Sequence, residues 1–169
     1  LLVEADADVA AATRVGEIVP LWLAATNGSA AMTDVLVDGG ALVNWPTSTG
    51  ATPLMAAATA GRVDAVERLL HHGAFVNARE TANGQTALMF AAWENRAEVI
   101  RLLVERGAHV GLTSLVVAMD ERRFDSDGNE LPRGRPRAPG ANSMMGGMTA
   151  LLYAARDGQL EAARALVEN

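Results

Sequence analysis

Thr52-Pro53-Leu54-Met55-Ala56-Ala57-Ala58-Thr59-Ala60-Gly61 reads as one complete short helix with both ends marked. Thr52 carries a side-chain oxygen for the free amides of a helix start. Pro53 suits the first helical position, where its missing N–H costs nothing. Gly61 suits the left-handed residue that closes a helix. The alanine run between them makes the helix thin, so neighbours can pack closely against it. A second helix follows, with Val63, Val66, Leu69 and Leu70 on one face at helical spacing, and Gly73 closes it.

The same wording recurs along the chain. Val19-Pro20-Leu21-Trp22-Leu23-Ala24-Ala25 precedes it, and Thr86-Ala87-Leu88-Met89-Phe90-Ala91-Ala92-Trp93-Glu94-Asn95 and Thr149-Ala150-Leu151-Leu152-Tyr153-Ala154-Ala155-Arg156-Asp157-Gly158 follow. Pro20 and Pro53 are 33 residues apart, and Pro53 and Ala87 are 34 apart. Gly40-Ala41-Leu42-Val43-Asn44, Gly73-Ala74-Phe75-Val76-Asn77 and Gly107-Ala108-His109-Val110-Gly111 repeat in step with it. Two landmarks sharing one period mark an array of structural repeats. Asn95 takes the place of Gly61, which fits, since asparagine tolerates the left-handed region better than most residues. The matching residues in the third repeat's second helix are expected to be Val99, Leu102 and Leu103. No single unit has enough apolar surface to fold alone, so each must stack on its neighbours.

These landmarks resemble the ankyrin repeat family, and the TALMFAAW and TALLYAARDG wording looks most like its bacterial members. The resemblance covers the chain outside residues 112–146. It implies an all-α ankyrin-repeat solenoid of helix–turn–helix units with β-hairpin loops and one long inserted loop. On this reading residues 1–10 end a truncated repeat, and 11–44, 45–77 and 78–111 are full repeats. The insertion spans 112–146, and 147–169 is a second truncated repeat. The chain then reads as a fragment of something longer, expected to be less soluble than a version extended at both ends. Equal solubility and melting temperature of the two would overturn that expectation.

The chain departs from the family pattern in three places. The histidine of the family's Thr-Pro-Leu-His motif is replaced by Trp22, Met55, Met89 and Leu152, where apolar packing is expected instead of histidine hydrogen bonds. Val19 stands where threonine is expected, which weakens the first helix cap. One extra residue lies between Asn77 and Gly84. Within the insertion, the apolar stretch Leu112–Met119 is expected to form a strand. Asp125-Ser126-Asp127-Gly128-Asn129 reads as a turn, and Leu131–Gly140, rich in Pro, Gly and Arg, as unstructured chain.

Composition narrows the function. Half of the residues are apolar but only 4% are aromatic, so the core is aliphatic and alanine-built. The net charge of −6 argues against non-specific binding to nucleic acid or anionic membranes. There is no cysteine, which excludes thiol catalysis, disulfides and thiolate metal sites. No stretch has the about 20 apolar residues of a membrane span. The compartment stays open between cytoplasm and export.

Candidate chemistry is sparse. His71 and His72 are adjacent at a helix end and read as a solvated terminus rather than a zinc site. Asp125, Asp127 and Asn129 alternate like a calcium loop, but Gly128 and Glu130 fall at the wrong positions. Arg133, Arg135 and Arg137 follow five acidic residues, so the insertion is close to neutral and reads as a solvated loop. No phosphate loop, nucleophile elbow or Ser/His/Asp set is present. We therefore expect no enzyme, no catalytic or metal-binding residue, no cofactor, no small-molecule substrate, no nucleic acid and no membrane insertion. A protein partner is expected instead.

In the ankyrin family a partner meets the hairpin tips and the exposed ends of the first helices, which line a concave face. Carried over by position, the resemblance implies helix sites at Thr26, Asn27, Thr59, Ala60, Trp93, Glu94, Arg156 and Asp157. The implied tip sites are Trp45, Pro46, Ser48, Thr49, Arg79, Thr81, Asn83 and Gln85. Phe90 and Tyr153, just before the alanine pair, are expected to edge the same groove. Trp93 is the central candidate, because core packing does not need that position and exposed tryptophan is enriched among binding hot spots. The plainer reading is that it folds against the neighbouring finger or the insertion. Trp45 is a second candidate, with Pro46 able to pin it, and Trp22 reads as core. The alternatives to this binding module are a structural spacer or regulatory arm of a larger protein, or binding through the inserted loop.

Overall fold

A computed structural model describes residues 8–115, 117–118 and 144–168 of the chain. Eight helices run through the described residues in four pairs: α1 (Pro20–Asn27) with α2 (Ala30–Asp38), α3 (Pro53–Ala60) with α4 (Val63–His71), α5 (Ala87–Trp93) with α6 (Ala97–Glu105), and α7 (Ala150–Arg156) with α8 (Leu160–Val167). The first helices of the pairs stack in one layer, α1 on α3 on α5 on α7, and the second helices stack in another, α2 on α4 on α6 on α8. This is the expected helical repeat solenoid.

The caps follow the sequence reading. Thr52, Thr86 and Thr149 each accept a hydrogen bond from the backbone N–H three residues on, at 3.4, 3.4 and 3.3 Å. Val19 caps nothing with its side chain. Gly61 closes α3 at φ 72°, and Asn95 occupies the matching left-handed position at φ 55°. In place of the family histidine, Met55 is 2% exposed and its sulfur accepts the Thr52 N–H at 3.4 Å. A thioether thus packs and also completes the cap. Met89 is equally buried, Trp22 is half-buried, and Leu152 is half-exposed.

The core lies between the two layers. Leu21, Leu54 and Leu88 are 0–2% exposed, as are the alanine pairs Ala57–Ala58 and Ala91–Ala92. Each fully buried leucine contributes about 1.5–3 kcal/mol. The alanines let the first helices approach, because a larger side chain there would meet the next helix. In the second layer α4 and α6 begin 34 residues apart. Ile100, Leu103 and Val104 therefore match Val66, Leu69 and Leu70, one position later than the expected Val99, Leu102 and Leu103, and Val99 matches Ala65.

Periodic clamps join the units. The Asn44 amide donates to Gly73 O at 3.1 Å and accepts from Phe75 N at 2.8 Å, and Asn77 does the same with Gly107 O and His109 N at 3.0 and 2.9 Å. Gly111 at the third such position has no side chain to repeat the clamp. At the other end, Arg62 and Arg96 donate to the carbonyls of Thr26 and Thr59 at 3.2 and 3.1 Å. These are helix-end carbonyls without an intrahelical partner, and the cationic donor suits the negative end of the helix.

The fingers between repeats are closed by isolated bonds rather than ladders: Thr47 N to Ala51 O at 2.8 Å and Glu80 N to Gln85 O at 3.0 Å. The fourth finger differs, because β1 (Val117–Ala118) pairs antiparallel with β2 (Met144–Met145) in the register Val117↔Met145. Among the described residues, Val117–Ala118 is the part of the expected Leu112–Met119 strand found in extended pairing. Leu112–Leu115 is irregular. The expected turn at 125–129 and the stretch 131–140 lie outside the described residues. The fingers touch one another at their tips, through Ser48 N to Gly16 O, Thr81 N to Thr49 O and Leu115 N to Asn83 O. A Cβ at Gly84 would come within 2.6 Å of the Leu115 side chain, so glycine is what permits this contact.

Candidate functional site

The expected site residues fall into three groups. Trp93 ends α5, at 41% exposed, with Glu94 beside it and Arg156 and Asp157 at the matching end of α7. Trp93 and Tyr153 stack with centroids 6.1 Å apart and planes 21° from parallel. The Arg156 guanidinium lies 5.7 Å from the Trp93 centroid and 5.2 Å from that of Tyr153. Both rings therefore carry a cation on their faces.

Asp157 fixes that cation by a two-pronged pair, Nε to Oδ1 and Nη2 to Oδ2, each at 2.8 Å. The pairing lowers the Asp157 pKa and raises that of Arg156, with the mutual hydrogen bonds as the main cause. Glu94 pairs loosely with Arg96 at 3.9 Å. The charges around the indole are thus compensated locally. The surface offers an aromatic plate with polar edges rather than a net field.

Gln85 and Tyr153 belong beneath this surface, at 5% and 6% exposed. The Gln85 side-chain amide donates to the Tyr153 hydroxyl at 2.9 Å. Burial spends both side chains on each other, so Gln85 is not a free tip residue and Tyr153 lies behind Trp93 rather than at an exposed edge. Phe90 is half-buried against the core.

The remaining candidates are spread along the tips and the helix-end row. Thr81 is exposed and binds Thr49 O at 2.7 Å, while the Arg79 side chain donates to Thr113 O. Thr59 is half-buried and satisfied by Met55 O at 2.8 Å, and Asn27 is exposed at the far end of the row. Trp45, 39% exposed, stands apart on the second finger, where it lines a small hollow with Val9, Val19 and Ala41.

Three features escaped the sequence reading. Glu80 is a carboxylate only 5% exposed that accepts from Ala82 N, Asn83 N and Gln85 N at 2.6, 2.7 and 3.0 Å. The extra residue before Gly84 was its only signal. His72 is not a solvated terminus: it is 18% exposed and meets Asp34 Oδ1 at 2.8 Å, beside Arg68 Nη2 to Asp34 Oδ2 at 2.7 Å. Nothing local pairs residues 38 positions apart, so stacking alone brings them together. The Arg68 hydrogen bond, then that of His72, lowers the Asp34 pKa. The third feature is Gln159, whose side-chain amide donates to Trp93 O at 3.0 Å in the place of the Arg62 and Arg96 clamps. Among the described residues no three potential ligands cluster for a metal, and no helix is long and apolar enough to cross a membrane.

The fold and its repeating clamps define a helical repeat protein. The chain belongs to the ankyrin repeat family: the family model for ankyrin repeats, in three copies, matches residues 1–80 and 21–114. Ankyrin repeats are generally protein–protein interaction modules and typically non-enzymatic. The α7–α8 pair lies beyond the matched residues, yet it stacks as a fourth unit. No curated protein matches the chain.

Proposed function

We propose that the chain binds a protein partner through the surface centred on Trp93, with Glu94, Arg156 and Asp157 around it. Thr59 and Asn27 extend this surface along the helix-end row, and Arg79 and Thr81 extend it onto the fingers. The observation that carries the reading is that Trp93 is exposed and yet held. Tyr153 stacks behind it, and Arg156, itself fixed by Asp157, lies over its face. A large side chain ordered before binding loses little freedom on binding.

The test compares capture of interacting proteins by wild type, by Trp93→Ala and by Arg101→Ala, an exposed residue of α6 in the layer of second helices. Trp93→Ala should weaken the specific interaction by about 30-fold or more, the range of a binding hot spot, while Arg101→Ala leaves it within twofold. Equal affinity of Trp93→Ala and wild type would refute the reading.

Binding through the inserted loop is the second reading. It is favoured by the base of the insertion, which joins the row of tips where Leu115 N meets Asn83 O at 2.6 Å. Replacing residues 119–143 by a short turn separates the two. Retained binding supports Trp93, and lost binding in a folded protein supports the insertion.

A further inference from the structure

The second and third fingers occupy matching places but are closed differently. In the second, the Thr47 hydroxyl accepts the Ala51 N–H at 3.2 Å, and Ala51 has no side chain to reach further. In the third, the Glu80 carboxylate collects three amides from its own loop, those of Ala82, Asn83 and Gln85, at 2.6, 2.7 and 3.0 Å. Gln85, where the second finger has Ala51, gives its backbone N–H to Glu80 and its side-chain amide to Tyr153 of the next repeat. Tyr153 stacks on Trp93. One unbroken line of contacts therefore runs from the third fingertip, through Glu80, Gln85 and Tyr153, to the exposed indole. Glu80, Gln85 and Tyr153 are all nine-tenths buried or more. Removing any of them leaves a buried polar group unpaired, and Gln85, bonded to Glu80 through its backbone and to Tyr153 through its side chain, ties the finger to the next repeat.

We infer that Glu80 and Gln85 are positioning residues for the Trp93 surface: they lock the third finger and the indole into one rigid unit, so that a partner meets both at a set separation. This rests on the reading of Trp93 as a contact residue, but its test needs no partner. In 1H–15N spectra of the full chain, Glu80→Gln should speed exchange of the Ala82, Asn83 and Gln85 amides by about tenfold or more and also shift the Trp93 indole N–H signal. In the reverse direction, Tyr153→Phe should speed exchange at Ala82 and Asn83. Thr47→Ala, in the second finger, should leave the Trp93 signal in place.

A Glu80→Gln spectrum with loosened finger amides and an unmoved Trp93 indole overturns the inference. If Glu80→Gln does not fold, Tyr153→Phe decides alone, and unchanged finger exchange overturns it. Coupling present with partner affinity unaffected by Trp93→Ala would refute the binding surface and leave the mechanical link standing.

Discussion

The junction between the first and second repeats and the junction between the third and fourth join equivalent helices by different chemistry. At the first, the polar link lies in the layer of second helices, where Asp34 of α2 meets Arg68 and His72 of α4 in partly exposed ion pairs. At the second, the link has moved inside, as the buried Gln85–Tyr153 hydrogen bond and the Trp93–Tyr153 stack. The shared parts are the alanine pairs and the clamp onto the helix-end carbonyl, Arg62 to Thr26 and Gln159 to Trp93. The repeat pattern thus supplies a generic joint. What varies is where a joint places its polar bonds, and among the described residues only the third-to-fourth joint builds an aromatic surface from them. Exposed ion pairs contribute about 0–1 kcal/mol, whereas a buried bond costs more when one partner is removed.

The largest effect that would sharpen this comparison is at Tyr153. Tyr153→Ala should cost about 3–5 kcal/mol in chemical denaturation, as expected for removing a buried aromatic residue. A loss below about 1 kcal/mol would mean that the inner joint is not packed as described. Next comes a pair of leucines at one sequence position. Leu88 is 2% exposed and Leu151 is 40%, so Leu88→Ala should cost about 2–5 kcal/mol and Leu151→Ala less than half as much. Equal losses would show that Leu151 is covered in solution.

Tyr153→Phe should cost about 1–3 kcal/mol, because the Gln85 amide is left buried without its acceptor. The double variant Tyr153→Phe with Gln85→Met should recover part of that, and failure to recover would place the loss elsewhere.

Asp34→Asn should have the smallest effect and depend on pH. The Asp34 pKa is lowered from 3.8 by Arg68 and His72, so the folded state favours the carboxylate. That stabilisation is complete above the unfolded value and is lost as pH falls through the folded one. The difference between wild type and Asp34→Asn should therefore be present at neutral pH, fade below pH 3.8, and shrink in high salt. A difference that persists at about pH 2 would assign the effect to hydrogen-bond geometry rather than charge.

Most of the fold was legible because its signals are local. Thr52, Pro53 and Gly61 act within one helix, and Asn95 at φ 55° adopts the conformation that its position in the repeat demanded. Trp93 was legible as exposed because its position follows an alanine pair that the core already fills. Less legible were residues whose role depends on what lies one repeat away. Asn44 and Asn77 stood in the pattern with no role attached until the next unit's backbone was in place. Gln85 was expected at a fingertip and Tyr153 at a groove edge, and both are buried, because each is the other's partner across 68 positions. His72 was expected in solvent and found Asp34 by the same route.

The sequence by itself determined the helices, their ends, the 33–34 residue period and the ankyrin class, since capping, apolar spacing and left-handed turns are decided within a few residues. Only the tertiary structure decided which side chains at equivalent positions are covered, which carboxylates and amides meet, and that Glu80, Gln85 and Tyr153 form one line behind Trp93. Those contacts exist only once separate repeats are stacked, and stacking distance is not written in any one repeat.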